Sequence, residues 1–246
     1  MLEAWFDPGT IQHLDARGVG AGWHCLEVGA GGGSIAAWLC QQVGEQGRVV
    51  ATDINTRLVA ELDHLALEAM QHNIVADELP EEAFDLVHTR AVLGHLPERE
   101  QALSRLAAAL KPGGWLAIEE FDIRSAAPDE RCCAESAALY RKAVEAHNTV
   151  LSARGMDVHY GHSLLGDLRK LPLTDIDAEG RVSILHGGVP GAEAWRLTYE
   201  QLRDELVASG EMGDSEVDET LALLSDKEFT FILQILMAAW ARRPEV

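Results

Sequence analysis

The chain is short of positive charge. Twenty lysines and arginines stand against forty aspartates and glutamates in 246 residues, a formal charge of −20. A nonspecific hold on DNA, RNA or an anionic membrane is therefore opposed electrostatically, and neither nucleic acid nor membrane is an expected partner. No run of eighteen apolar residues is present, and the start lacks a basic segment followed by an apolar stretch. A cytoplasmic location is the expectation. The four cysteines, at positions 25, 40, 132 and 133, form no C-x-x-C pair. Adjacent Cys132 and Cys133 have no evident partners for zinc, so thiols in a reducing compartment are expected and a metal is not. Internal repeats, heptads and low-complexity tracts are missing too.

What is there begins with Cys25-Leu26-Glu27-Val28-Gly29-Ala30-Gly31-Gly32-Gly33-Ser34. An acidic residue stands at the end of a buried strand, just before a glycine-rich turn. Gly29 and Gly31 let the backbone turn sharply and approach a ligand closely, and Ser34 can cap a helix from Ile35. A dinucleotide fingerprint, G-x-G-x-x-G, wants its last glycine where Ser34 stands, so the match to a pyrophosphate binder is imperfect. Glu27 points the same way: a carboxylate beside the turn repels phosphate but holds an ammonium, directly or through water. S-adenosylmethionine has an ammonium and no phosphate. Arg48 to Asp53 reads as a second buried strand ending in an acid, where a ribose-binding carboxylate belongs. His72-Asn73-Ile74-Val75-Ala76-Asp77 reads as a third, with Asp77 placed to meet an adenine amino group.

With these three acids the chain resembles the class I S-adenosylmethionine-dependent methyltransferases, in their small-molecule branch of ubiquinone/menaquinone-biosynthesis or natural-product type, over roughly residues 20 to 122. Ala83 to Arg90 is similar to that family's fourth strand, Ala91 to Leu96 to the loop beneath the ligand, and Lys111 to Ile118 to the turn into strand five. The resemblance implies a Rossmann-like, doubly wound, seven-stranded, mostly parallel α/β sheet. It also implies that Glu27, Gly29, Ala30, Gly31, Ser34, Asp53, Ile54, Asp77, Glu78 and Arg90 surround the cofactor.

Alternation of strand and helix through the first half independently argues for a parallel sheet covered on both faces. Helical periodicity appears in Ile35, Ala36, Trp38, Leu39 and Val43, in Leu58, Leu62, Leu65 and Ala69, and in Leu103, Leu106 and Leu110. A helix at Thr10 to Arg17 is expected near Trp5 and Phe6, which can fold over the cofactor side or simply pack. The chain reads as one domain: an N-terminal helical segment (1–20), a cofactor-binding core (21–124), a helical cap (125–174) inserted between strands five and six, and sheet completion with inserted helices (175–246). In the cap, helices are expected from Asp129 to about Arg154 and from Ser163 to Lys170. Because ligands bind beyond the carboxyl ends of strands, an insertion there can roof the crevice. A dimer contact is the rival reading of the cap. Arg181 to His186 reads as strand six. Ala192 to Ser209 and Ser215 to Leu224 read as helices. Phe229 to Ala241 suits a strand or a helix, and the resemblance favours a seventh, antiparallel strand. Arg242-Arg243 reads as a solvated tail.

The implied chemistry is in-line transfer of a methyl group to a small organic acceptor, which alignment in a dry crevice accelerates. An acceptor that must lose a proton needs a base, for which His162 is the first candidate, His95 the second and Asp122 the third. Trp5, Phe6, Tyr140, His147, Tyr160 and Trp195 are the candidate acceptor contacts. Glu119 and Glu120 are neighbours on a strand, so they face opposite ways and cannot act as one dyad. Alternatives are a methyltransferase-like cyclase that uses the sulfonium as a fixed charge, and a noncatalytic cofactor-binding subunit. A nicotinamide oxidoreductase is disfavoured by Ser34 and by the lack of a tyrosine-lysine pair.

Overall fold

Short runs that are apolar on both faces, such as Val49-Val50-Ala51 and Leu86-Val87, can be satisfied only in the middle of a sheet covered on both sides. The computed structural model, which describes residues 2–245, places them there. Helix α1 (Leu2–Ala16) leads into β1 (His24–Val28), α2 (Ser34–Val43), β2 (Arg48–Asp53), β3 (Leu67–Gln71), β4 (Phe84–Arg90), α3 (Arg99–Ala109) and β5 (Leu110–Asp122). There follow β6 (Ala127–Pro128), α4 (Ala134–Ala153), α5 (Tyr160–Leu168), β7 (Thr174–Arg181) and β8 (Ile184–His186). The chain ends with α6 (Pro190–Gln201), α7 (Arg203–Ala208), α8 (Asp214–Ser225), β9 (Thr230–Ile232) and β10 (Ile235–Arg242).

Seven strands form the main sheet in the order β3-β2-β1-β4-β5-β10-β7. Strands β1 to β5 pair in parallel, and β10 runs antiparallel between β5 and β7. This is the expected doubly wound α/β sheet with an antiparallel seventh strand. Chain order reverses between β1 and β4, which opens a crevice beyond their carboxyl ends.

Several boundaries differ from expectation. The third strand is Leu67–Gln71, and His72 to Asp77 is the loop after it. The leucines at 58, 62 and 65 do not build a long helix: only a 3-10 turn at Val59–Glu61 forms, and Leu65 is 91% exposed. Gly33, in the left-handed region at φ 81°, holds the N-cap position of α2 and Ser34 is already helical, so the serine caps nothing. Helix α1 begins at Leu2 rather than Thr10. Strand six is Thr174–Arg181, while Ile184–His186 joins a separate three-stranded sheet of order β6-β9-β8. The Arg242-Arg243 pair is no loose tail. Arg242 lies on β10 and stacks over Trp115, and Arg243 donates to the Ala108 and Leu110 carbonyls.

The segment expected as a cap packs with a second insertion rather than alone. Residues of α4 from the first insertion, and of β8, α6, α7, α8 and β9 from the second, share one apolar core that includes Tyr140, Val144, Trp195, Tyr199, Leu206, Val217 and Phe231. Helix α5, expected in the cap, instead covers the main sheet, with Tyr160, Leu164 and Leu168 in the sheet's own core. Gly161 permits this: a Cβ there would stand 2.7 Å from the Glu120 carbonyl oxygen and 2.8 Å from the Phe121 carbonyl carbon. The expected outcome of Gly161→Ala is a loss of about 1–3 kcal/mol by overpacking, measured by denaturant unfolding. Unchanged stability would mean that α5 can lift from β5 freely.

Candidate functional site

Two adjoining clefts of about 270 and 250 Å³ lie at the carboxyl ends of β1, β2 and β4 and share Gly29 and Ala91. One half is walled by Asp53, Ile54, His72, Asn73, Ile74, Val92, His95 and Leu96. The other is walled by Glu3, Phe6, Glu27, Ala30, Gly31, Ser34, Arg90 and Phe121. The turn between them has the predicted backbone: Gly29 and Gly31 have φ of 72° and 54°, and a Cβ on Gly29 would strike the Val92 side chain. Asp53 accepts from Gly31 N at 2.9 Å and from Asn55 N at 2.9 Å, so turn and second strand are locked together.

Asp77 and Glu78 do not line either cleft. The Asp77 carboxylate is drawn back to Asn73 N at 2.7 Å, and the Glu78 carbonyl meets His72 Nε2. Because β3 ends at Gln71, it is Asn73 that reaches the cleft in place of the acid expected at 77.

Behind the Glu27 half lies a buried polar chain. Paired residues on neighbouring strands face the same way, so the partners Glu27 and His88 stand side by side, and Glu119 joins them as the partner of Arg90 two residues on. His88 Nδ1 donates to Glu27 Oε2 at 2.6 Å, and His88 Nε2 lies 3.7 Å from Glu119 Oε2. The Thr10 hydroxyl of α1 donates to Glu119, and Arg90 donates to Thr10 Oγ1 and to Asp7 Oδ1, both at 2.8 Å. Burial opposes charge on His88, but the Glu27 carboxylate, followed by Glu119, holds it raised to about 9. Burial likewise opposes charge on Glu119, where the His88 imidazolium with Thr10 and Arg90 prevails and lowers it. A histidine directly after the apolar pair Leu86-Val87, in a central strand, was the available sequence signal for this chain. Thr10 had none.

Glu120 faces the other way, as alternation requires, and accepts from Val92 N at 3.0 Å and Leu93 N at 2.6 Å. Burial pushes its carboxyl up to about 7, against those two donors. A carboxyl raised in the folded state favours folding at acid pH and loses that contribution as pH climbs from its ordinary value through about 7. Glu120→Gln is therefore expected to flatten the pH dependence of the melting temperature between about pH 5 and 8. Parallel wild-type and variant curves would show that the carboxyl is not raised.

Of the candidate bases, His162 is exposed on α5 and lines neither cleft. His95 stands in the Asp53 half, where burial lowers it. Asp122, at the end of β5, lies 3.8 Å from His159 Nδ1 and near Arg124. None of the three reaches the Glu27 half. Among the acceptor candidates, Trp5, Phe6 and Trp195 line one narrow slot with Gly191, Leu233 and Gln234. Phe6 also walls the Glu27 half, which makes the slot its neighbour. Tyr140 and His147 instead sit inside the core that the two insertions share, and Tyr160 lies under Arg99 in the sheet core.

Residues 26–116 match the family model described as a methyltransferase domain. Over that stretch the chain is similar to S-adenosylmethionine-dependent methyltransferases, and it shares their fold. The ubiquinone/menaquinone biosynthesis C-methyltransferase UbiE of Pseudoalteromonas translucida is 33% identical over 118 residues, 45% of this chain and 47% of that protein. The chain thus spans about half the length of this relative. Methyltransferase GfsG of Streptomyces halstedii is 27% identical over 202 residues, 72% of this chain and 68% of that one. Among solved structures, a methyltransferase of Bacillus halodurans described as putative superposes with TM-score 0.61 at 16% identity, over 95% of this chain and 98% of its own. Phosphoethanolamine N-methyltransferase 2 of Haemonchus contortus, solved with S-adenosyl-L-methionine, gives 0.52 at 18% identity, over 92% of this chain and 49% of that one. Among the described residues no helix is long and apolar enough to cross a membrane, and no cluster of three His, Cys, Asp or Glu side chains suits a metal.

Proposed function

We propose that the protein binds S-adenosylmethionine in the double cleft and catalyses methyl transfer to a small, uncharged organic acceptor. The observation that carries this reading is the pairing of Asp53 in one half with Glu27 in the other, on either side of the glycine turn. Asp53 suits ribose hydroxyls, Asn73 offers both donor and acceptor to a base edge, and Glu27 suits an ammonium. Left-handed Gly29 and Gly31 keep the middle of the cleft free of Cβ atoms. When bound, the cofactor supplies an electrophilic methyl group on a sulfonium. What this chain's residues contribute is alignment and the exclusion of water.

The slot formed by Trp5, Phe6, Gly191, Trp195, Leu233 and Gln234 contains no ionisable side chain. The slot has room for about one water, so an acceptor would lie mainly in the Glu27 half, against Phe6, where the uncharged slot lining beside it suits a neutral molecule. Because no histidine lines the Glu27 half, the reading favours an acceptor that is already nucleophilic, such as an activated ring carbon or an acidic phenol or enol. A homodimer is compatible with this reading and is not required by it.

Calorimetric titration with S-adenosylmethionine, S-adenosylhomocysteine and NAD tests the donor. Binding of the two sulfur nucleotides without a response to NAD is expected, and the reverse pattern would overturn the reading. Asp53→Ala is expected to weaken S-adenosylhomocysteine binding by about 1–3 kcal/mol through lost charge-assisted hydrogen bonds. For the acceptor, radiolabelled methyl transfer across a panel is expected to favour neutral phenols, enols and hydroxyquinones over phosphorylated or carboxylated compounds. Preference for the charged members would remove the slot from the acceptor site.

A further inference from the structure

We propose that His88 is a positioning residue for the cofactor's amino-acid end: it fixes the Glu27 carboxylate in the one orientation that presents its free oxygen to the cleft. This inference rests on the reading that S-adenosylmethionine binds there. His88 is wholly buried on the central strand β4 and does not itself line the cleft, whereas Glu27 does. Its Nδ1 bonds Glu27 Oε2 at 2.6 Å, and its Nε2 has no hydrogen-bond partner among the described residues. The ring is thus oriented through Glu27. Oε1 of Glu27 takes none of the side-chain hydrogen bonds among the described residues and is left for a ligand ammonium.

Charge makes the same point. Around His88 stand Glu27 from β1, Glu119 from β5, Arg90 from its own strand, and Asp7, His13 and Arg17 from α1. With an imidazolium at 88, the Glu27 and Glu119 carboxylates stand on either side of a cation, and Glu27 keeps its free oxygen for a cationic ligand group. Without it, Glu27 and Glu119 share a buried face with nothing between them, and like charges in a dry site drive one carboxyl to take up a proton or turn away. Either change spoils the surface that meets an ammonium while leaving Asp53 and Asn73 in place, more than a strand away on the far side of the glycine turn. The two ends of the cofactor should therefore respond differently to a change at 88.

The test compares two ligands that share the adenosine thioether, S-adenosylhomocysteine, which carries the amino acid, and 5′-methylthioadenosine, which lacks it. Titrated calorimetrically, His88→Leu is expected to lose about 10- to 100-fold in affinity for S-adenosylhomocysteine, as for removal of a charged hydrogen-bonding partner, and no more than about two-fold for 5′-methylthioadenosine. His88→Gln, which keeps an N–H donor for Glu27, is expected to recover part of the loss, and it serves alone if the leucine variant does not fold. Equal losses for both ligands would reduce His88 to a structural role, and no loss for either would show that Glu27 orients itself. Failure of wild-type protein to bind either ligand would overturn the cofactor reading instead.

Discussion

Two carboxylates buried on one face of a sheet repel each other unless a cation stands between them, and the way this fold meets that condition ties together its sheet register and its first helix. Glu27 is fixed there by the turn that follows it, and Glu119 by the register of β5 on β4. The cation is His88, supplied by the strand that lies between theirs. A slip of one residue in the β1–β4 register would move His88 to the other face, beside Leu26 and Val28 in the α3 core, and strand both acids. The polar chain therefore specifies register as well as charge.

The same chain decides where the N-terminal helix goes. The docking of α1 uses polar links: Thr10 to Glu119, Asp7 to Arg90, and Trp5 Nε1 to Ser183 at 3.0 Å. Phe6 packs edge-on against Phe121 with ring centroids 5.2 Å apart. Since Phe6 borders both the Glu27 cleft and the aromatic slot, the buried charges and the wall of the proposed acceptor site are mechanically one structure. A change at Glu119 would be felt at Phe6 through Thr10.

How much of this was legible in the sequence follows position in the sheet. Strands β1, β2, β4 and β5 lie in the middle, need apolar residues on both faces, and were read within a residue or two. The two strands that were misplaced, β3 and β7, are the two edges. Leu67-Glu68-Ala69-Met70-Gln71 has no β-branched residue, and the β-branched pair Ile74-Val75 beyond it attracted the strand reading. Thr174-Asp175-Ile176-Asp177-Ala178-Glu179 carries the alternating charge that protects an edge from pairing with another chain, and that charge reads as a turn when the edge is not foreseen. Misplacing β3 by five residues is why Asp77 was expected at the cleft that Asn73 lines. In the continuous apolar run from Phe229, the break was visible in Gln234, the one polar residue between β9 and β10.

The insertions illustrate a different limit. The first was recognised by composition, but its partner, residues 182–234, was counted with the sheet because helices there looked ordinary. Amphipathic helices declare that they bury a face without declaring against what. Here α4 buries Tyr140, Val144 and His147 against Trp195, Tyr199 and Phe231 from the second insertion. The two insertions share one core. That interdependence places the slot where it is: Trp195 and Gly191 come from α6, Leu233 and Gln234 from the link into β10, and Trp5 and Phe6 from α1. Three segments far apart in sequence meet only after both insertions have packed. A change of lining through α6 or the link into β10 leaves β1, β2 and the glycine turn, none of which lines the slot, in place, whereas a change through α1 reaches the Glu27 half by way of Phe6.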